Sequence, residues 1–311
     1  MTNPLYQSFF QRHRDSEALL MIREDGSQLS YRKFLDIAAR FANTLVTCGM
    51  KPGDRVVLQV PKSAEALAVY AACVQSGSVI VPLNTGYTAD EVDYFVGDAQ
   101  PKLMICDPKN SGGLQSICEN HSVQLETLDA VGEGSFAELS AKHPETFPTV
   151  ERSIDDLAAF LYTSGTTGRS KGAMLTQGNL LSNAKALVET WRFTSSDVLF
   201  HALPIFHTHG LFVASNVTFL AGSSMIFMSS FKVQQAIDHL PKSTTMMGVP
   251  TFYTRLLDDA RLNRDLVQHM RLFISGSAPL LSETHVAFEE RTGHRILERY
   301  GMTETNMITS N

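Results

Sequence analysis

Along this chain, short apolar runs alternate with longer stretches in which apolar positions recur every three or four residues. After a short opening helix, residues 19–22 and 28–30 flank Glu24-Asp25-Gly26-Ser27, a hairpin signal. Phe34, Ile37, Ala38, Phe41, Ala42 and Leu45 share one face of a helix that stops near Gly49 and Pro52. Residues 56–60 predict a buried strand, 64–75 an apolar helix ending at Gly77, and 79–83 a second strand. Such a unit implies a right-handed crossover to a parallel neighbour. Thr88-Ala89-Asp90-Glu91 fits a capping box, and the helix it opens leads to a strand at 103–106.

Between residues 108 and 153 the periods weaken, which predicts short elements and surface connections and places the softest internal boundary there. Beyond it the alternation resumes. Helices are expected at 178–191, 211–220, 233–239, 250–261 and 282–291, and strands at 198–203, 225–228, 244–249 and 272–275. Strands alternating with helices throughout imply an α/β protein with largely parallel sheets covered on both faces, in subdomains of roughly 1–153 and 154–311.

Composition narrows the function classes. With 311 residues, 43% apolar and 19% charged, the chain can bury a large core. The net charge of −6 and the lack of a basic run argue against nucleic acid and a membrane surface as partners. Cys48, Cys73, Cys106 and Cys118 stand singly, without a metal-like spacing, which implies reduced thiols in a cytoplasmic setting. The first ten residues lack a charged region followed by an apolar core, and no window is apolar enough to span a membrane.

The chemistry concentrates in four stretches. Tyr162-Thr163-Ser164-Gly165-Thr166-Thr167-Gly168-Arg169-Ser170-Lys171-Gly172 lies between two apolar segments as a strand, a polar loop and a strand. Glycines let backbone N–H groups turn toward an anion, hydroxyls add neutral donors and Lys171 supplies a mobile charge, so a polyphosphate is the expected guest. It is not a Walker A loop, because Arg169-Ser170 separates Gly168 from Lys171 and Gly172 follows. The plainer alternative is a Ser/Gly-rich hairpin turn. Pro204-Ile205-Phe206-His207-Thr208-His209-Gly210 follows a strand and opens a helix, with His201 nearby; such a cluster without a carboxylate or thiolate suits packing or a gate better than a metal. Two more strand ends follow: Ile274-Ser275-Gly276-Ser277-Ala278-Pro279, readable as an ordinary loop, and Glu298-Arg299-Tyr300-Gly301-Met302-Thr303-Glu304-Thr305. If the latter is extended, alternation points Glu298 and Tyr300 one way and Arg299 the other.

T-S-G-T-T-G-x-x-K-G resembles the phosphate-loop signature of the adenylate-forming superfamily, which includes acyl-CoA synthetases, luciferases and peptide-synthetase adenylation domains; Y-G-x-T-E is similar to a second signature of that superfamily. The resemblance covers essentially the whole chain and implies the large N-terminal domain of such an enzyme, with ATP, Mg²⁺ and coenzyme A as reactants and cofactors. It assigns the phosphates to Thr163, Ser164, Gly165, Thr166, Thr167, Gly168 and Lys171. Gly276, Ser277, Ala278, Pro279, Glu298, Tyr300, Gly301 and Met302 fall to the nucleotide, with Tyr300 stacking on adenine and Glu298 accepting from its amino group. Lys171, Thr303 and Glu304 fall to the reacting phosphate, and Glu304 with Thr166 to Mg²⁺. Phe206 and His207 would line the acid pocket, with Ser277 and Gly301 beside them.

Arg299 is the residue most informative about substrate. A guanidinium poorly hosts an alkyl chain but grips a second carboxylate with two parallel hydrogen bonds. E-R-Y-G-M-T-E-T with H-T-H-G-L and S-G-S-A-P-L resembles the malonate-activating branch, so malonate is the expected acid; alternatively Arg299 pairs with Glu298 or Glu289 at the surface. A ligase for another short, medium-chain or aryl acid and a noncatalytic nucleotide-binding fragment are the other expectations. The family is longer than this chain, so a C-terminal domain of the same polypeptide, whose lysine reaches the acyl phosphate, is the expected partner, and little activity is expected of the 311 residues alone.

Overall fold

The computed structural model describes residues 2–163 and 169–310. Its strands are β1 Leu19–Arg23, β2 Gln28–Ser30, β3 Arg55–Gln59, β4 Val79–Pro82, β5 Leu103–Cys106, β6 Gln124–Thr127 and β7 Leu157–Thr163, followed by β8 Lys171–Thr176, β9 Val198–His201, β10 Ser224–Phe227, β11 Thr245–Gly248, β12 Leu272–Ser275, β13 Ile296–Met302 and β14 Asn306–Ser310. They form a six-stranded sheet of order β6-β5-β3-β4-β7-β8 and an eight-stranded sheet of order β14-β13-β12-β11-β9-β10-β1-β2. Pairing is parallel except for β7 with β8, β1 with β2 and β13 with β14. Helices join the parallel strands, so the α/β architecture with mostly parallel sheets expected from the alternation is present. Among the described residues no helix is long and apolar enough to cross a membrane.

The chain divides into Met1–Glu17 with Tyr31–Ser182, and Ala18–Ser30 with Asn183–Asn311. This corrects the boundary expected near residue 153. The weak stretch 108–153 holds the helices Ser111–Asn120 and Ser135–Ser140 around β6, and β6 still pairs with β5. Weak periodicity there reflects strand and helices that are largely exposed rather than a break between units.

In the first unit, β3 lies between β4 and β5, so right-handed crossovers carry the two connecting helices to opposite faces. One of them, Ala64–Ser76, is buried along nearly its whole length; Ser63 caps its first turn and Gly77, at φ 74°, ends it. The other, Ala89–Ala99, opens on the expected capping box between Thr88 and Glu91. It buries Val92, Phe95 and Val96 against Val57, Val81 and Met104.

In the second unit the hairpin β1–β2 joins the sheet through parallel pairing of β1 with β10, Met21 opposite Met225. No local pattern reveals that pairing, because its partners lie some two hundred residues apart. Glu24, in the hairpin turn, accepts hydrogen bonds from Ser229 Oγ (2.6 Å), Gln235 Nε2 (2.6 Å) and Lys232 Nζ (3.0 Å). The core beneath the sheet includes Phe200, Met246, Tyr253, Phe273 and Phe288, and the Phe288 ring meets those of Tyr253 and Phe273 edge to face.

Two helices differ from expectation. The one expected at 250–261 ends at Leu257, where Arg261 folds back on Asp259 through Nε (2.9 Å) and Nη2 (2.7 Å). The one expected at 211–220 starts earlier, as a π-helix over His209–Ser215 that continues as an α-helix over Asn216–Ala221. Ser215 Oγ donates to Gly210 O at 2.9 Å, five residues back, which suits the wider turn.

The hydrogen bonds to Glu24 hold its carboxyl at about 2, below the ordinary 4.5. A carboxyl depressed on folding stabilises the fold above its unfolded pKa, and that contribution is lost as pH falls through the window from about 4.5 toward 2. We therefore expect the urea midpoint of the native chain to fall more steeply between pH 5 and 2 than that of Glu24→Gln; parallel profiles would remove Glu24 from the acid response.

Candidate active site

Parallel pairing of β12 with β13 sets Ser275 opposite Glu298, which leaves Gly276 beside Arg299. A Cβ on Gly276 would lie 2.4 Å from Arg299 Cζ and Nε, so only glycine leaves room for the guanidinium. The next residue, Ser277, has φ +71° and brings its hydroxyl to 3.4 Å from Arg299 Nη2 and 3.3 Å from His209 Nδ1. Alternation along β13 works as expected: Arg299 is 6% exposed, whereas Tyr300 is 58% exposed.

Neither acidic residue offered as a surface partner holds Arg299. Glu298 accepts the Leu280 N–H at 3.0 Å through Oε1 and lies 3.4 Å from His285 Nε2 through Oε2, and Glu289 pairs with Arg295 at 2.8 Å. Arg299 Nε is buried and without a partner among the described residues. Burial pushes its pKa down to about 10, so it remains a cation at neutral pH. His209, 4% exposed, also keeps a buried ring nitrogen, Nε2, without a partner. Burial, and then the charge of Arg299, holds the imidazole well below its usual pKa and hence neutral.

Two cavities meet at these residues. One of about 390 Å³ is lined by Ser277, Ala278, Pro279, Glu298, Arg299, Tyr300, Gly301 and Thr309. The other, about 440 Å³, is lined by Leu203, Pro204, His207, Thr208, His209 and Val249 together with Ser277, Arg299, Gly301, Met302, Thr303 and Met307. The second lies beyond the carboxyl ends of β9, β11 and β12, where β9 separates β10 from β11 and the direction of strand addition reverses. Such a switch point is where open parallel sheets bind ligands. The structure thus brings together all the residues expected for nucleotide and acid in this unit except three. Gly276 backs the guanidinium instead of lining a cavity, the Phe206 ring packs tilted against His207 at 4.5 Å between centroids, and Glu304 is exposed on the turn between β13 and β14.

Leu203, Pro204, Thr208, His209, Val249, Met307 and Thr309 also line the cavities and were not assigned to the site from the sequence. His209 stands in the histidine run already singled out, but the π-helix that turns it inward has no sequence signature. Gly210 permits the close turn, since a Cβ there would lie 2.0 Å from Pro204 O. His201 belongs to this support: its Nε2 lies 3.0 Å from Gly210 O and 3.2 Å from Ser215 Oγ.

In the first unit, β7 and β8 pair antiparallel, with Thr163 opposite Lys171. Ser164, Gly165, Thr166, Thr167 and Gly168 lie outside the described residues. Lys171 is exposed at the start of β8. Tyr94 Oη donates to Ser170 O at 2.7 Å, the Arg169 guanidinium lies 5.4 Å from the centre of the Tyr94 ring, and Tyr162 Oη donates to Asp98 Oδ2 at 2.6 Å.

Mostly parallel sheets with glycine turns at their strand ends, and a buried cation lining a switch-point cavity, mark the chain as an α/β protein with a polar cavity at the carboxyl ends of its strands. The chain belongs to the AMP-binding enzyme family, whose sequence profile matches residues 6–311. It is 28% identical to a malonate–CoA ligase of Arabidopsis thaliana over 99% of this chain and 57% of that protein. It is 32% identical to a feruloyl-CoA synthase of Amycolatopsis sp over 94% of this chain and 58% of that one. Apo MatB from Rhodopseudomonas palustris superimposes with a TM-score of 0.97 at 52% identity, over the whole of this chain and 62% of MatB. The fold is therefore that of the N-terminal part of adenylate-forming enzymes, and the chain spans 57%, 58% and 62% of these three relatives.

A buried cation without an acidic partner costs folding energy, so its replacement by an apolar side chain of similar length is expected to be neutral or stabilising. Arg299→Met should raise the unfolding free energy by roughly 0 to 2 kcal/mol in chemical denaturation. A loss of more than about 2 kcal/mol would mean that Arg299 supports the fold instead of a ligand.

Proposed function

We propose that this chain is the ATP- and acid-binding part of an AMP-forming acid–thiol ligase, and that its acid is malonate. The observation that carries the reading is Arg299, buried, cationic, uncompensated and open to a cavity that also holds Ser277 and His209. A monocarboxylate would leave that charge unpaired, whereas the distal carboxylate of malonate matches its planar fork. Likeness to a malonate–CoA ligase and to MatB supports the same substrate, and likeness to a feruloyl-CoA synthase favours an aryl acid as the second reading.

In the proposed reaction a carboxylate oxygen attacks the α-phosphorus of ATP and the bond to pyrophosphate breaks. The coenzyme A sulfur then attacks the acyl carbon, AMP leaves with the bonding electrons, and the thiol proton passes to solvent. Lys171 and Arg169 offset the charge that builds on phosphate oxygens, and Thr303 donates near the reacting phosphate. Exposed Tyr300 offers its ring to adenine, and Arg299 with Ser277 fixes the acid by its far end. Glu304, exposed and without an ion-pair partner among the described residues, fits a hard cation that keeps most of its waters and shares phosphate ligands. Bound there, Mg²⁺ supplies charge neutralisation for the polyphosphate.

The test is a thermal-shift series with Mg·ATP, alone and with malonate, acetate, octanoate or ferulate, on the native chain and on Arg299→Ala. Stabilisation by malonate that depends on ATP and vanishes in Arg299→Ala is the expected result. A shift with ferulate or octanoate that survives the substitution would move the enzyme to the corresponding acid, and no shift with ATP would overturn the nucleotide reading.

A further inference from the structure

The helix Ala89–Ala99 reaches both limbs of the loop at 163–171, and nothing assigned so far uses those contacts. Tyr94 and Asp98 stand four residues apart, and so share one helix face. Tyr94 holds the outgoing limb: its hydroxyl donates to Ser170 O at 2.7 Å, and its ring lies under the Arg169 guanidinium at 5.4 Å. Asp98 holds the incoming limb by accepting from Tyr162 Oη at 2.6 Å. The Tyr162 ring is fixed from the side by Phe95, 4.4 Å between centroids, and by Tyr94 at 6.4 Å. The helix itself is anchored by its capping box and by Val92, Phe95 and Val96 in the core.

We propose that Tyr94 and Asp98 are positioning residues for a bound polyphosphate, clamping the two limbs of the loop so that Thr163, Arg169 and Lys171 are set before the ligand arrives. The proposal rests on the polyphosphate reading of that loop. Asp98 is an exposed carboxylate near the proposed anion site, where by charge alone it would oppose binding, so its use there is to fix Tyr162. A cation on a limb already fixed loses less freedom on binding, which is the benefit of preorganisation.

The experiment is calorimetric titration of the chain with Mg·ATP and, as a control lacking the outer phosphates, with AMP. Tyr94→Phe keeps the ring but removes the bond to Ser170, and Asp98→Ala removes the acceptor for Tyr162. Each should weaken Mg·ATP about five- to tenfold, the factor that the loss of one ordinary hydrogen bond represents, and leave AMP unchanged. Asp98→Asn, which retains an acceptor oxygen, should recover most of the loss. Unchanged ATP affinity in both variants, or equal weakening of ATP and AMP, overturns the clamp. Lys171→Ala separates the two levels. If it weakens ATP while Tyr94→Phe and Asp98→Ala do not, only the clamp falls; if it has no effect, the polyphosphate reading falls and takes the clamp with it.

Discussion

A guanidinium pressed against a glycine organises the second unit. The register of β12 on β13 places Gly276 beside Arg299, and the absence of a Cβ lets the charged group lie against backbone. Ser277, in the left-handed backbone region that follows, turns its hydroxyl to both Arg299 and His209. The result is a buried cation and a neutral imidazole, each with a ring or guanidinium nitrogen unspent, joined through one hydroxyl. Unmet hydrogen-bonding capacity of this kind costs stability.

Topology explains why this cluster opens onto a cavity. In a sheet whose strands run parallel, the connections leave from the same edge, and they diverge where the order of strand addition reverses. Here β10 and β11 are added on opposite sides of β9, and the segment after β9 must cross that gap. It does so through Gly210 and a π-helix, held by Ser215 and His201 on the Gly210 carbonyl, and this winding carries His209 to the cavity wall. The local widening of the helix thus serves the cavity wall through His209 while Leu211, Phe212 and Val213 remain in the core.

The first unit solves a different problem with a similar economy. In a glycine-rich loop the approach of its two ends is set by the strands that carry them. Antiparallel pairing of β7 with β8 fixes the ends in register, and the helix Ala89–Ala99 adds contacts to each limb from one face. Charge on the loop is carried by exposed Lys171 and by Arg169 over an aromatic ring, an arrangement that keeps both cations near the loop without burying either.

Much of this was legible along the chain. The α/β class, the capping box at Thr88, the hairpin around Glu24 and the extended run that alternates Arg299 with Tyr300 are local matters of spacing and cap chemistry, and they appear where the spacing put them. The four stretches that bear chemistry were legible for the same reason: each crowds glycine, hydroxyl, imidazole or charge into a few consecutive positions at a strand end. The unit boundary was not, because it follows from β1 pairing with β10 across some two hundred residues, a contact that no window of sequence contains. His209 and Met307 were not, because a cavity wall is assembled from separate elements, and the π-helix that delivers His209 follows from the turn at Gly210 and two hydrogen bonds to its carbonyl. Sequence therefore determined which side chains could do chemistry. Tertiary structure decided which of them face one another, and that Arg299 is left without an acidic partner among the described residues, since pairing depends on register and burial that only the folded sheet defines.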